Sequence, residues 1–314
     1  MKITDVAVGI LQRPDGAVLY AQRPAGKVYE GWWEFPGGKR EQGEPIEQTL
    51  VRELQEELGV TVTQFTPWVI RDHIYPHATV RLHFFRVTQW LGAPASSEGQ
   101  ALHWQDGALS APQPLLPAAI PVIDWLVLPT HYVLTSAGQF GVEKTLAAIK
   151  SHIEIQPCLI QLFEPTLADD LIIDLYNGLQ AIVGDSTGLV GSSGLGGSKL
   201  LVHDVHQPLV RHAPQANAGL HLSAANLMAH RVRPEFFLVG ADCPTAEHLT
   251  HAAALGLDFV VMQADFFEQA SRSSRLPVFA AIEWPMAEFG EKKLEALMQR
   301  GAHGICTIPV YNRC

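Results

Sequence analysis

Three glutamates, Glu53, Glu56 and Glu57, lie within the run Arg52-Glu53-Leu54-Gln55-Glu56-Glu57-Leu58-Gly59-Val60. If the run is helical, their spacing of i, i+3 and i+4 puts all three carboxylates on one face. Carboxylates held side by side repel one another unless a cation neutralises them. Mg2+ does so, taking oxygen ligands that are commonly one or two carboxylates together with substrate phosphates; Mn2+ can replace it. The bare pattern would also suit a solvated acidic face. Its surroundings are more demanding: Gly38, five residues, Glu44, seven residues, then Arg52. In that setting the face suits a site where a divalent cation meets substrate phosphates, with Glu53, Glu56 and Glu57 as candidate catalytic carboxylates and metal ligands.

The elements that position these groups follow from the flanking residues. Pro45 suits a first helical turn and Gly59 a helix stop, so the glutamates fall on a helix between them. Leu50, Leu54 and Leu58 run beside them at the same period and should face the core. Residues 6–11 and 17–22 are apolar, strand-like runs joined by the turn Arg13-Pro14-Asp15-Gly16. Arg23 follows, placed to reach a base or phosphate. In Gly31-Trp32-Trp33-Glu34-Phe35-Pro36-Gly37-Gly38 the paired glycines let the backbone approach a ligand and present a carbonyl to a metal. Lys39 adds a cation for phosphate oxygens. Residues 69–73, 79–87 and 101–104 read as strands, and 116–128 as a closing helix whose start Pro121 restricts.

At 314 residues the chain is comfortable as two domains, and 47% apolar content is ample for two cores. A formal charge of −10 argues against sequence-independent nucleic-acid binding, which needs Lys and Arg to displace counterions. A nucleotide or diphosphate brought in with Mg2+ suits that charge. Cys158, Cys243, Cys306 and Cys314 are scattered without CxxC pairing, as in a reduced, cytoplasmic protein. The N-terminus alternates like a strand, and no run approaches the roughly 20 apolar residues of a membrane helix.

From Gly38 to Val60 the chain resembles the signature of the Nudix hydrolases, and residues 1–128 resemble the MutT-type members, the 8-oxo-dGTP diphosphatases. The residues carrying this are VGI near the start, Arg23, EFPGGK from Glu34 to Lys39, RELQEELG, Trp90, and Glu98-Gly99-Gln100. The resemblance implies hydrolysis of a nucleoside triphosphate to the monophosphate and pyrophosphate. It makes Glu53, Glu56, Glu57, Glu98 and the Gly37 carbonyl metal ligands or base. It gives Arg23 and Phe35 to the nucleotide, within a substrate-binding stretch that also holds Glu34, Pro36, Gly38 and Lys39. The family's purine-reading asparagine falls at about Ala119. Alanine cannot donate and accept at a purine edge, so the anhydride chemistry is better founded than the base preference.

Pro-rich stretches at Ala111-Pro112-Gln113-Pro114 and Pro129 mark a boundary, dividing the chain at 1–129 and 130–314. Beyond it the apolar runs are 132–135, 158–163, 199–202, 219–222, 236–239, 259–262, 278–282 and 304–308. With helical stretches between most of them, they suggest parallel βα units closing into a barrel, short at roughly 185 residues beside the usual ~250. HYVLTS, CLIQLF, GLHLS, VGADC with LGLDFVV, and RGAHGI resemble thiamine-phosphate synthase and its TenI-like relatives. The polar positions depart from that family. Its diphosphate-binding arginine and lysine fall at Phe163 and Pro165, and its metal pair becomes His203-Asp204. A later metal aspartate falls near Asn226, and a glycine pair becomes Glu283-Trp284. His203 and Asp204, with His206, are the candidate ligand site of the barrel, although without matching partners they read more readily as polar residues at a strand end. Residues 188–199, GLVGSSGLGGSK, contain no GxxxxGK[ST] and read as a flexible loop.

The fold expected is therefore α/β and α+β in two domains: a Nudix α/β/α sandwich, then a short TIM (βα)8-like barrel. The expected function is nucleotide-pool sanitation by an Mg2+-dependent 8-oxo-dGTP diphosphatase or close variant, on a small-molecule substrate. Three alternatives stay open: hydrolysis of thiamine-related diphosphates, a transferase in the barrel, or a barrel that binds a ligand or forms a homo-oligomer.

Overall fold

The protein is described from a computed structural model over residues 3–97, 99–105, 111–185, 197–211, 218–270, 273–283 and 295–308. It falls into two compact units, Met1–Val127 with Gln299–Gly301, and Leu128–Met298 with Ala302–Cys314. In the first, the strands are β1 (Ile3–Leu11), β2 (Val18–Gln22), β3 (Trp33–Glu34), β4 (Gly37–Lys39), β5 (Thr61–Tyr75), β6 (Ala78–Leu91) and β7 (Leu102–Gln105). Helix α1 spans Ile46–Leu58 and α2 spans Ile120–Leu126. One sheet has the order β4-β1-β6-β5 and the other β3-β2-β7. Strand β1 pairs parallel with β6 and antiparallel with β4, so it forms the centre onto which α1 packs.

Helix α1 begins and ends where its flanking residues dictate. Pro45 caps it in an extended conformation, and Gly59 ends it in the left-handed region at φ 67°, which glycine adopts without a Cβ penalty. Leu50, Leu54 and Leu58 are fully buried and pack with Ala7, Leu11, Phe85 and Val87. The glutamates thus turn away from the core because the leucines of the same helix occupy it.

Two expectations on extent need correction. The third and fourth runs are longer than their apolar centres, 69–73 and 79–87, because β5 and β6 form one antiparallel hairpin from Thr61↔Leu91 to Tyr75↔Ala78. A sheet face open to solvent accepts polar side chains, so pairing, not apolarity, sets its length. The closing helix starts at Ile120, with Pro121 in its first turn, not at 116. Before it, the chain is tied to β3: Trp33 N–H donates to Pro114 O and Leu116 N–H to Trp33 O.

The second unit is a closed barrel of eight parallel strands. They are β8 (His131–Leu134), β9 (Cys158–Leu162), β10 (Lys199–His203), β11 (Gly219–Leu222), β12 (Val239–Asp242), β13 (Phe259–Gln263), β14 (Val278–Glu283) and β15 (Gly304–Ile308). Helices α3 (Ala137–Phe140), α4 (Val142–Ile155), α5 (Asp169–Asp185), α6 (Gln207–Val210), α7 (Ala224–Ala229), α8 (Ala246–Leu255) and α9 (Ala264–Ala270) alternate with them. Closure runs through β15 on β8, pairing Ile305 with His131. The fifth strand is not the apolar run 236–239. A turn bonds Phe236 N–H to Pro234 O, and pairing with β11 begins at Val239, so the strand reaches Asp242. Tyr132, Phe259 and Phe279 fill the barrel's interior edge to face, with ring centroids 5.4–5.7 Å apart. Among the described residues no helix is long and apolar enough to cross a membrane.

Replacing Leu54 with alanine is expected to lower stability by about 2–5 kcal/mol, the range for a buried leucine lost from a packed core. Chemical denaturation followed by circular dichroism measures it, and a loss below about 1 kcal/mol would mean that α1 is not held by this stripe.

Candidate active site

Of the three candidate glutamates, Glu53 and Glu57 lie against strand β4, and the paired glycines there have a steric reason. A Cβ on Gly38 would overlap the Glu53 carboxylate, and one on Gly37 would overlap the Ala7 carbonyl of β1. Gly37 also has φ 147°, a value L side chains rarely adopt. Its N–H donates to Glu57 Oε2 at 3.0 Å. The glycines therefore let a helix carboxylate lie directly on a strand, a role distinct from the expected approach of the backbone to a ligand.

Arg52 organises the carboxylates. Its Nε and Nη2 donate to the two oxygens of Glu44 at 2.9 and 3.0 Å. Its Nη1 donates to Glu53 at 2.8 Å and to Glu56 at 3.1 Å, and Nη2 also donates to the Lys39 carbonyl of β4 at 3.1 Å. Thr49 Oγ1 donates to Glu44 at 2.8 Å. The hydrogen bond from Arg52 holds the Glu44 carboxyl down at about 2. Glu53 behaves differently. Burial raises its carboxyl, Arg52 opposes that, and Glu56 and Glu44 add to the rise. Glu44 and Arg52, fixed in spacing but without a role from sequence, are a brace between helix and strand.

The donor set suits a hard cation. It offers carboxylate oxygens alone, and one guanidinium is shared among Glu44, Glu53 and Glu56, which leaves negative charge uncompensated. No three His, Cys, Asp or Glu side chains among the described residues enclose an ion by themselves. Water and substrate phosphates would complete the shell, as Mg2+ commonly requires. Glu98, the remaining expected ligand, lies outside the described residues.

The expected nucleotide contacts divide. Arg23 is bound within the protein: Nη1 donates to both oxygens of Glu34 at 2.7 Å and Nε to Val28 O. Burial raises the Glu34 carboxyl, with Arg23 opposing. Phe35 is buried and stacked on Tyr20, so its ring belongs to the core and not to a ligand surface. Pro36 accepts from Gly9 N–H, and Lys39 is exposed beside the glutamates. Ala119 is buried at the start of α2. A group missed from sequence is the aromatic cluster of Tyr29, Trp32, Tyr75 and His77, with neighbouring centroids 5.1–6.2 Å apart. Burial raises the Tyr75 hydroxyl to about 12, and Glu34 adds to the rise, which places the cluster beside the Arg23–Glu34 pair. Its members come from the β2–β3 loop and the tip of the β5–β6 hairpin, so no single spacing marks them.

In the barrel, Asp204 is a structural acceptor. Its Oδ2 accepts from Ser223 N–H, Ser223 Oγ and Asn226 Nδ2 at 2.7–2.9 Å. His203 is buried between Phe163 and His221, at centroid distances of 4.5 and 5.7 Å. His206 Nε2 accepts from Glu164 N–H. The carboxylate of Glu164 accepts the Ala137 and Gly138 N–H groups at 2.6 and 2.9 Å. These groups satisfy one another and do not gather round an ion. Cys158, Cys243 and Cys306 are buried and free. Trp284, residues 188–196 and Cys314 lie outside the described residues.

The NUDIX domain profile matches residues 7–124. The chain belongs to the Nudix hydrolase family. Over 123 residues it is 37% identical to an 8-oxo-dGTP diphosphatase of Escherichia coli K12, covering 39% of this chain and 95% of that protein. Over 130 residues it is 38% identical to a CTP pyrophosphohydrolase of the same organism, covering 40% and 91%. Over 94 residues it is 43% identical to an 8-oxo-dGTP diphosphatase of Proteus vulgaris, covering 30% and 84%.

Burial lowers the imidazole pKa of His131, His152, His203 and His206, that of His203 to about 4. The unfolded chain binds these protons at about 6.5. Barrel stability from these groups is therefore full above pH 6.5 and falls as the pH drops toward 4, each contributing at most about 1.4 kcal/mol per pH unit. Hydrogen exchange at β10 and β11 amides, corrected for intrinsic rates, should show protection declining across that window. Protection that holds constant or rises would contradict the assignment.

Proposed function

We propose that the first domain, residues 1–129, hydrolyses a nucleoside triphosphate to the monophosphate and pyrophosphate, with 8-oxo-dGTP or a close variant as substrate. The supporting observation is the α1 carboxylate face lying on the bare glycines of β4 with too little positive charge to balance it. Bound Mg2+ would supply that charge and neutralise phosphate oxygens, with Glu53, Glu56 and Glu57 as its holders and Glu98 and the Gly37 carbonyl as further candidates. Water attacks one phosphorus of the anhydride, the bridging P–O bond breaks, and pyrophosphate leaves with the electron pair. Glu53, its carboxyl raised by burial, is suited to take the water's proton. Arg52 keeps that carboxylate aimed, and Lys39 is placed to meet phosphate oxygens. The aromatic cluster beside Arg23 and Glu34 offers stacking faces for a base.

The base itself is the open choice. The relatives include both an 8-oxo-dGTP diphosphatase and a CTP pyrophosphohydrolase at near-equal identity. Ala119, buried and without a polar side chain, favours reading of the base elsewhere than in the MutT-type enzymes. A damaged or mis-made thiamine-related diphosphate remains the second reading on the same ground.

One panel tests the proposal: purified protein with 8-oxo-dGTP, dGTP, CTP and thiamine diphosphates, scored for phosphate and pyrophosphate. Pyrophosphate should appear only with Mg2+ or Mn2+, and Glu57→Gln should lose about 10²–10⁴-fold in kcat while keeping its circular dichroism spectrum. Full rates in excess EDTA, or in that variant, would remove the proposed site.

For the barrel, we infer a thiamine-phosphate-synthase-like scaffold that does not make thiamine phosphate. That reaction needs cations on a diphosphate leaving group. Phe163 and Pro165 stand where the arginine and lysine are expected, and Asp204 is already committed to Ser223 and Asn226. Losing two or three such groups should cost at least about three powers of ten in rate. Coupling a pyrimidine diphosphate to a thiazole phosphate with the full-length protein measures this. Turnover within tenfold of an ordinary synthase would make the protein bifunctional.

A further inference from the structure

At the C-terminal ends of the barrel strands lies a cavity of about 300 Å³. Its polar wall is Gln161, His203, Asp242 and Gln263, and Phe163 and Met262 contribute to its apolar wall. The aromatic plug of Tyr132, Phe259 and Phe279 fills the barrel interior. This end of a parallel barrel is where ligands bind, and the volume meets the lower range of small-molecule sites.

The charge of the wall decides what fits. Among its described lining residues there is one carboxylate, Asp242, and no lysine or arginine. Asp242 keeps 47% of its side-chain surface accessible, and its described partner is His221 Nε2 at 3.1 Å. The imidazole of His221 is itself fixed from behind, with Nδ1 2.7 Å from the Tyr132 hydroxyl, which donates to Gln161 Oε1 at 2.8 Å. Three side chains from β8, β9 and β11 thus hold the carboxylate of β12 in place in the cavity wall. Burial pushes the Asp242 carboxyl up, but the contact with His221 brings it net below its ordinary value, so it is ionised at neutral pH. His203, lowered by burial to about 4, is neutral there and supplies no positive charge.

Anions are disfavoured by the same features. The two amides at the start of α3 are taken by the protein's own Glu164. The thiols of Cys243 and Cys306, both in the wall, are raised by burial first and by Asp242 second, so they stay protonated and offer no nucleophile at neutral pH. What remains is a half-desolvated carboxylate flanked by an aromatic ring and a thioether, a setting that favours positive charge on a flat apolar body.

We propose that this cavity binds a small organic cation, an amidinium or protonated amine on a single flat ring, with Asp242 as its counter-ion. It is independent of nucleotide hydrolysis and takes no phosphate ester.

The test uses full-length protein with saturating Mg2+, methyl-labelled at methionine, and benzamidine as probe. Benzamide is the neutral counterpart, and benzoate and inorganic pyrophosphate are the anionic ones. Benzamidine should shift the Met262 methyl resonance and bind at least tenfold more tightly than benzamide, while neither anion moves that methyl. Asp242→Asn should weaken benzamidine at least tenfold. Gln263→Glu, an exposed position that leaves the Tyr132–His221–Asp242 chain untouched, should tighten it. Nucleotide hydrolysis should be the same in both variants, which separates this response from cation binding at the α1 glutamates. Equal binding of benzamide, a Met262 shift with benzoate or pyrophosphate, no shift with benzamidine, or indifference to Gln263→Glu would each overturn the proposal.

Discussion

The first domain depends on the absence of side chains at Gly37 and Gly38. Only there can α1 lie close enough to β4 for Glu53 to occupy the space a Cβ would fill and for Glu57 to accept a strand amide. Everything polar in the site follows from that closeness. Arg52 can reach Glu44, Glu53, Glu56 and the Lys39 carbonyl at once because helix and strand stand within one side chain's reach. A side chain at Gly38 would push the Glu53 carboxylate off the strand, and one at Gly37 would press on the Ala7 carbonyl of β1. The leucine stripe on the adjoining face supplies the counter-pressure, burying Leu50, Leu54 and Leu58 so that the glutamates turn outward.

Much of this was legible in the sequence because it rests on local periodicity. The helix from Pro45 to Gly59, its carboxylate face and its apolar face are set by spacing within one element, and the order of β-like runs in the barrel survives because each run must be apolar to be buried on both faces. Extents set by pairing were not legible. Strands β5 and β6 continue through polar residues because each has the other as partner, and β12 begins at Val239, where β11 is available, not at the apolar run before it. Roles set by tertiary partners were hidden for the same reason. Nothing near Arg23 announces that Glu34 will hold it, or that Tyr29 and Tyr75 will meet from separate parts of the chain.

Asp204 illustrates how a residue type that reads as a ligand can serve the fold instead. An aspartate at a barrel strand end reads as a ligand for metal or phosphate-bound Mg2+. Here three donors from Ser223 and Asn226 saturate one of its oxygens, one of them an amide where a carboxylate would repel. Exchanging a carboxylate for an amide turns mutual repulsion into a hydrogen bond. The aspartate then fastens the start of α7 to the end of β10. Glu164 does the equivalent for α3.

The two domains handle buried negative charge in opposite ways, and the contrast separates chemistry from architecture. In the barrel, Asp204 and Glu164 are surrounded by protein donors in number enough to replace their hydration, so each is stable as it stands. In the first domain, one guanidinium is divided among three carboxylates, and burial raises the Glu53 carboxyl despite that contact. A fold has no stability reason to hold carboxylates so, since replacing one with glutamine would relieve repulsion and desolvation together. The deficit has use only if a ligand brings positive charge with it, as the proposed nucleotide with Mg2+ would. Energy withheld from the resting protein is then available when substrate and cation are both present, which is where a hydrolase needs it.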